Sequence, residues 1–250
     1  MSFRFKQFEI QDDKCAMKVG TDGVLLGCWV RPNPDPARFD CPPDTLRLKG
    51  REFRILDIGT GSGLIARMLM QRCPEAIVDA IDIDEAAVEQ AKENGVNAFL
   101  SSLQEWPNIK SKISNIKYDI VVSNPPYFQN SLKNPDAGRK TARHTDTLSY
   151  AELIQHSARL LCKNGQLALI LPAEAEAEVR QLAATEDLFP THITRVFSKE
   201  SKPARRVLMA FVKGVRGLEV RGLEEDTLIL ENEKGGRSLQ YQELTKDFYL

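Results

Sequence analysis

Residues 119–128, DIVVSNPPYF, send an apolar run into Asn124-Pro125-Pro126-Tyr127. Prolines lack the N–H that a sheet ladder needs, so a strand must stop here. What surrounds the stop can do chemistry. The Asn124 side-chain oxygen and the Pro125 carbonyl are two acceptors on a backbone stiffened by proline, and Tyr127 adds an aromatic face. Two fixed acceptors can take both N–H hydrogens of an amino group and leave its lone pair aimed at an electrophile. A second stretch, Leu56-Asp57-Ile58-Gly59-Thr60-Gly61-Ser62-Gly63-Leu64, sets glycines at 59, 61 and 63 behind an acidic residue. Alternating glycines let a ligand approach the backbone, and a helix beginning there points N–H groups at it. The spacing is not the dinucleotide Gly-x-Gly-x-x-Gly, whose last glycine, counted from Gly59, falls on Leu64. The third candidate is Asp82, which closes an apolar run about 20 residues beyond the glycines, where a carboxylate can accept from both hydroxyls of a ribose. Asp84 is expected to cap the helix that follows and Asp79 to remain on the strand.

The elements that must position these residues show in the wider pattern, where apolar runs of strand length alternate with helix-length segments. FRILDIG (53–59) precedes SGLIARMLMQR, AIVDAID (76–82) precedes DEAAVEQAKEN, AFLSS (98–102) precedes a short polar stretch, YDIVVSN (118–124) precedes a long loop and LSYAELIQHSARLLC, and GQLALILP (165–172) precedes AEAEAEVRQLAAT. That rhythm predicts an α/β fold, with a mostly parallel sheet covered by helices on both faces. ITRVFSK (193–199) and RRVLMAFVKG (205–214) are joined closely enough to form an antiparallel hairpin at the sheet edge, completing seven strands. In such a sheet the glycine turn, Asp82 and Asn124 all fall at carboxyl ends of strands, where ligands bind. Upstream, KCAMKVGTDGVLLGCWV (14–30) reads as a helix running to Trp29, with Thr21 or Asp22 as its cap. The expected organisation is an N-terminal element (1–30), a proline-rich surface linker (31–50), the main domain (51–214) and an extension packed on it (215–250), whose internal structure the pattern leaves unassigned.

Composition narrows the partners. The chain has 250 residues, 42% of them hydrophobic and 28% charged, and no apolar run near the length of a membrane span. A formal charge of −1 excludes a surface coated in positive charge, so nucleic-acid contact must come from a local patch. Two basic stretches supply one: KNPDAGRKTARH (133–144), with Lys133, Arg139, Lys140 and Arg143, and SKESKPARR (198–206), with Lys202, Arg205 and Arg206. Both follow strand ends, so they are expected to grip RNA phosphates along one rim. His144 can join them, whereas His156 and His192 read as structural. Cys15, Cys28, Cys41, Cys73 and Cys162 are widely spaced, with no Cys-x-x-Cys, and read as reduced thiols of a cytoplasmic protein with no metal site.

The Asp57–Gly63 arrangement resembles motif I of class I methyltransferases, which bind S-adenosylmethionine. Asn124–Tyr127 resembles the [Asn/Asp/Ser]-Pro-Pro-[aromatic] turn of those that modify amino groups conjugated to a π system. Together with Lys18–Gly23, Arg139–Arg143, Arg206-Val207-Leu208 and the terminal LTKDFYL (244–250), they make most of the chain similar to the bacterial tRNA-Val (adenine-37-N6)-methyltransferases. This resemblance implies a Rossmann-like class I methyltransferase fold. It also implies methyl transfer from S-adenosyl-L-methionine to the N6 amino group of adenosine 37, met through the anticodon loop, with S-adenosyl-L-homocysteine as product. Asn124, Pro125 and Tyr127 would then be catalytic. Lys18, Thr21, Asp57, Gly59, Thr60, Gly61, Gly63, Asp82, Ile83 and Asn124 would line the cofactor pocket, with Asp57 near the ammonium. Related enzymes often meet the adenine with an acidic residue after the third strand; AFLSSLQEW offers Ser102 or Gln104 instead. The same turn serves protein-glutamine N5-methyltransferases and other nucleic-acid amino-methyltransferases, which remain the alternative. The basic stretches and the lack of a sizeable helical N-terminal domain weigh against the glutamine enzymes. A nicotinamide dehydrogenase is disfavoured by Leu64, and a non-catalytic RNA scaffold by the intact Asn124 turn.

Overall fold

The computed structural model describes residues 2–32, 52–111, 116–126, 148–214 and 222–249. A short antiparallel hairpin, β1 (Ser2–Arg4) and β2 (Glu9–Gln11), leads to helix α1 (Thr21–Trp29). The alternation then runs β3 (Arg54–Ile58), α2 (Leu64–Arg72), β4 (Ile77–Asp82), α3 (Glu85–Glu93), β5 (Asn97–Leu100), α4 (Trp106–Ser111), β6 (Tyr118–Ser123), α5 (Tyr150–Leu160), β7 (Leu161–Pro172), α6 (Glu176–Thr185), β8 (Leu188–Phe197), β9 (Ala204–Lys213), β10 (Glu224–Ile229) and α7 (Leu239–Thr245). The main sheet has the order β10-β8-β9-β7-β6-β3-β4-β5 and is parallel except for β9, which runs against both β7 and β8.

The expected β8–β9 hairpin is present, with two differences from the sequence expectation. Strand β9 inserts between β7 and β8, and β8 is not the edge, because an eighth strand, β10, pairs parallel to it from Glu224↔His192 to Ile229↔Phe197. Periodicity misses β10 because only Leu228 among its side chains is buried.

Both sheet faces are covered, which is why the central strands read as continuous apolar runs. Adjacent residues of one strand serve opposite cores. Ile55, Ile120, Val122, Ile170 and Leu208 pack beneath α1, α2, α3 and Tyr241 of α7. Leu56, Val121, Leu167, Leu169 and Met209 pack beneath α4, α5 and α6. Each such side chain, fully buried, contributes about 1.5–3 kcal/mol.

Helix α1 lies close along α2 because Gly23 and Gly27 remove side chains at the contact. A Cβ at Gly27 would stand 2.6 Å from Met68 Sδ, and one at Gly23 would stand 3.0 Å from Leu64 Cδ2. Arg72 closes the far end of α1, donating to the carbonyls of Gly27 (2.8 Å) and Val30 (2.7 Å). Its near end departs from expectation: Gly20 is the N-cap, and neither Thr21 nor Asp22 caps the helix. Asp22 sits inside the first turn and accepts a hydrogen bond from Arg206 Nε at 2.9 Å.

The first and last parts of the chain interlock. Lys6 N donates to the Phe248 carbonyl at 2.8 Å, and Arg31 makes two bonds to Glu224, of 2.7 and 2.8 Å. His192 stacks on Trp29 with ring centroids 4.5 Å apart; its Nε2 lies 3.1 Å from Asp226 Oδ2 and 3.2 Å from Thr194 Oγ1, and the Trp29 indole donates to that hydroxyl at 2.7 Å. His192 thus helps to dock β10. Cys15, Cys28, Cys73 and Cys162 form no disulfide among the described residues, and Cys41, like most of the 31–50 segment, lies outside them. Among the described residues no helix is long and apolar enough to cross a membrane.

Candidate active site

Strand register assembles the site. Ile58 of β3 is aligned with Ile81 of β4 on one side and Ser123 of β6 on the other. The next residue along each chain is Gly59, Asp82 and Asn124. Three candidates far apart in sequence therefore leave the sheet side by side at its carboxyl edge. The Ser123 hydroxyl donates to the Ile58 carbonyl at 2.8 Å and ties the exits of β3 and β6 together.

The three glycines adopt φ of +70°, +55° and +81°, a region that costs other residues strain. They are needed for two reasons. A Cβ at Gly59 or Gly61 would meet nothing within 4 Å, so these two border open space, whereas one at Gly63 would stand 2.7 Å from Val96 Cγ2. Gly63 serves packing and the other two leave room for a ligand. The loop is pinned by Gly59 N and Thr60 N, which donate to the Ile81 carbonyl at 2.9 and 3.1 Å. Asp82 is oriented from both sides: Gly61 N donates to Oδ2 at 2.9 Å and Asp84 N to Oδ1 at 3.0 Å. Each oxygen keeps a lone pair for an incoming hydroxyl. Asp84 caps α3 through Ala86 N, as expected, and Asp79 lies buried on β4.

Asp57 is fully buried beneath the loop. Its Oδ2 accepts from Thr60 Oγ1 (2.7 Å) and Ala66 N (3.2 Å), while Oδ1 has no donor among the described residues. Burial pushes the carboxyl up to about 7 against the pull of those two bonds, and the nearby negative charge of Asp82 adds to the rise. Asn124 presents the same feature: its Oδ1 is buried, again with no donor among the described residues. Pro125 is buried beside it, and Tyr127 lies outside the described residues.

At the ends of the adjacent strands β4 and β5, Ile83 and Leu100 are 60% and 52% exposed, an apolar pair at the mouth of the site. Leu100 is absent from the sequence expectation; its only signal is an apolar residue closing a strand. Ser102 Oγ accepts from Glu105 N at 3.2 Å, and Gln104 Nε2 is turned toward Glu152 Oε1 at 3.5 Å. Ser101 N donates to the Asp82 carbonyl, which holds this connection against β4.

The N-terminal segment reaches the same edge. Asn94 Nδ2 bridges the carbonyls of Gln11 (2.7 Å) and Ser62 (2.8 Å), Lys14 N donates to Gln90 Oε1 at 3.2 Å, and Asp82 contributes to the raised pKa of the Cys15 thiol, about 11, which burial mainly sets. The Lys18 ammonium is engaged with backbone, donating to the carbonyls of Asp12 (2.7 Å), Asp13 (3.2 Å) and Cys15 (3.0 Å). An ammonium has three donors, and all three shape the segment. Thr21 is exposed at the start of α1.

Of the expected RNA-binding residues, Lys133, Arg139, Lys140 and Arg143, with His144, lie outside the described residues. Lys202 and Arg205 are exposed in and after the β8–β9 connection. Arg206, partly exposed, has its guanidinium paired with Asp22 within the fold.

The open cradle over Gly59 and Gly61, the two-sided hold on Asp82 and the buried Asp57 oxygen fit a ligand carrying a ribose and an ammonium, as S-adenosylmethionine does. The sequence profile described as "Methyltransferase small domain" matches residues 44–193. Proteins called tRNA1(Val) (adenine(37)-N6)-methyltransferase are similar over nearly the whole chain. One from Parabacteroides distasonis is 43% identical over 252 residues, and one from Bacteroides fragilis is 40% identical over 253, each match covering 99% of this chain and 97% of the relative. Among solved structures, a "predicted O-methyltransferase" from Agrobacterium tumefaciens superposes with a TM-score of 0.64 at 17% identity, covering 91% of this chain and 96% of that one. A T. thermophilus 16S rRNA N2 methyltransferase, solved with AdoMet and guanosine, gives 0.52 at 17% identity, over 89% of this chain and 47% of the other. The structural likenesses show the class I methyltransferase fold, and the sequence likenesses go further: the chain belongs to the tRNA1(Val) (adenine(37)-N6)-methyltransferase family.

Proposed function

We propose that this protein transfers a methyl group from S-adenosylmethionine to the N6 amino group of adenosine 37 in tRNA-Val. The observation that carries the reading is the buried Asn124 Oδ1, which has no donor among the described residues where β6 ends beside the glycine loop. A buried acceptor with no partner costs about 1–3 kcal/mol, and an amino N–H of a substrate would relieve that cost. The exocyclic nitrogen of adenine is a weak nucleophile because its lone pair is delocalised into the ring. Asn124 Oδ1 and the Pro125 carbonyl would accept both of its hydrogens, turn the lone pair out of the ring plane and stabilise the positive charge that develops on nitrogen. When bound, S-adenosylmethionine supplies the electrophilic methyl on its sulfonium. Asp82 would hold the ribose hydroxyls, Asp57 the ammonium, and Ile83 with Leu100 the apolar base, with Ser102 or Gln104 at its edge. Tyr127 would stack on the flipped adenine, worth about 1–3 kcal/mol. No strong base is required, since the methylated nitrogen carries an acidic proton that water can take.

Residues 1–30 would cover the cofactor, 51–214 would form the catalytic domain, and 215–250 would pack on it. The anticodon stem-loop would be the recognised part of the tRNA, in the cytoplasm. Incubation with S-adenosylmethionine and a tRNA-Val transcript, followed by mass analysis of its nucleosides, should yield N6-methyladenosine. Asn124→Ala should keep cofactor affinity and lose about 100-fold to 1,000-fold in turnover, in line with removal of one charge-stabilising group. Methylation of a glutamine peptide but not of tRNA, or full turnover by that variant, would overturn the reading.

A further inference from the structure

Helix α1 is held at both ends by an arginine, and the two come from different parts of the fold. Arg72, at its C-terminal end, belongs to the adjacent α2. Arg206, at its N-terminal end, comes from β9, 184 residues beyond Asp22. Within the sheet Arg206 is paired with Pro172, the last residue of β7, so it stands on the carboxyl rim. Its side chain is 30% exposed and that of Asp22 is 24% exposed, which shields the pair from solvent more than an ordinary surface pair. The signs also suit the helix, with a carboxylate in the first turn and a cation near the last carbonyls.

What the pair holds in place is the segment from residue 11 to residue 23. That segment touches the glycine loop through Asn94 and Ser62, shares the field of Asp82 at Cys15, and meets the start of α2 at Gly23. Along it Lys18 fixes the turn and Gly20 brings no side-chain cap. We infer that the Asp22–Arg206 pair is a latch that positions residues 11–23 over the cofactor loop, so that Arg206 acts in methyl transfer through Asp22 and not by gripping RNA phosphate. The inference rests on the cofactor reading above. Arg206 is therefore a positioning residue.

Calorimetric titration of S-adenosylmethionine into the purified protein tests this without any turnover. Asp22→Asn and Arg206→Gln should each weaken cofactor binding about tenfold. The double variant should be no weaker than either single variant to within about twofold, because both changes break one interaction. Arg206→Lys, which keeps the charge but not the planar fork, should fall between Arg206→Gln and the unaltered protein. The slope of tRNA affinity against salt should be the same for Arg206→Gln as for the unaltered protein. The inference is overturned if the single effects multiply in the double variant, or if Arg206→Gln keeps cofactor affinity while flattening the salt slope. Should either neutral variant fail to fold, Arg206→Lys and Asp22→Glu carry the same comparison, and unchanged cofactor binding in both overturns it. If the unaltered protein binds S-adenosylmethionine but methylates no tRNA, the functional reading fails and the latch stands.

Discussion

Asp57 is fully buried beneath the glycine loop, where the proposed ammonium would meet it. Its carboxyl, ordinarily near 3.8, is held at about 7 by burial. The folded protein therefore keeps a proton on Asp57 between about pH 4 and pH 7 where the unfolded chain has lost it, so stability falls as pH rises through that window and levels off above it. Asp57→Asn should remove this slope from urea midpoints measured at about pH 5 and pH 8. An ammonium binds the ionised form, so cofactor affinity should rise from about pH 6 to pH 8 in the unaltered protein and stay flat in Asp57→Asn; parallel pH dependence in the two would separate the ammonium from this carboxylate. Residues of this kind are legible in sequence because type and spacing limit what they can do: the glycines, Asp57, Asp82 and Asn124 converge as expected. Lys18 and Arg206 were not legible in the same way. A cation in a motif shows its charge but not its partner: Lys18 meets backbone carbonyls of its own turn, and Arg206 meets Asp22, 184 residues away.

Elements follow the same division. The capping box of α5 can be read in LSYAEL: the Ser149 hydroxyl accepts from Glu152 N at 3.2 Å, and the Glu152 carboxylate accepts from Ser149 N at 2.9 Å. Ser149→Ala should cost about 1 kcal/mol, which for a chain of this size lowers the melting temperature by roughly 2–4 °C. Methyl transfer below that temperature should be unchanged, and a calorimetric scan beside an activity assay checks both. Strands with two covered faces announce themselves through unbroken apolar runs, as β3, β6 and β7 do. Strand β10 does not, since Glu224, Glu225 and Asp226 are exposed and it is tied down by Arg31 from a distant segment and by His192 of β8, on which Trp29 stacks. Pairing of that kind has no local signature.

Across the whole molecule, a net charge of −1 means that the proposed grip on RNA would have to come from local cations and not from the surface as a whole. Replacing Lys202 and Arg205 together by alanine should reduce the slope of log affinity against log salt by about 0.7–0.9 for each phosphate that is no longer neutralised, with cofactor affinity unaltered. Filter binding at several salt concentrations reads this directly, and an unchanged slope would make both side chains plain surface. The interlocking of early and late segments has a consequence for synthesis. Residues 2–32 leave the ribosome before Arg206, Glu224 and Phe248, against which they close. A growing chain can expose the glycine loop and Asp82 before the segment proposed to cover them has Arg206 to close against. On the latch inferred above, the order of synthesis would matter to the cofactor: residues 11–23 would close over its loop only once β9, with Arg206, has been made.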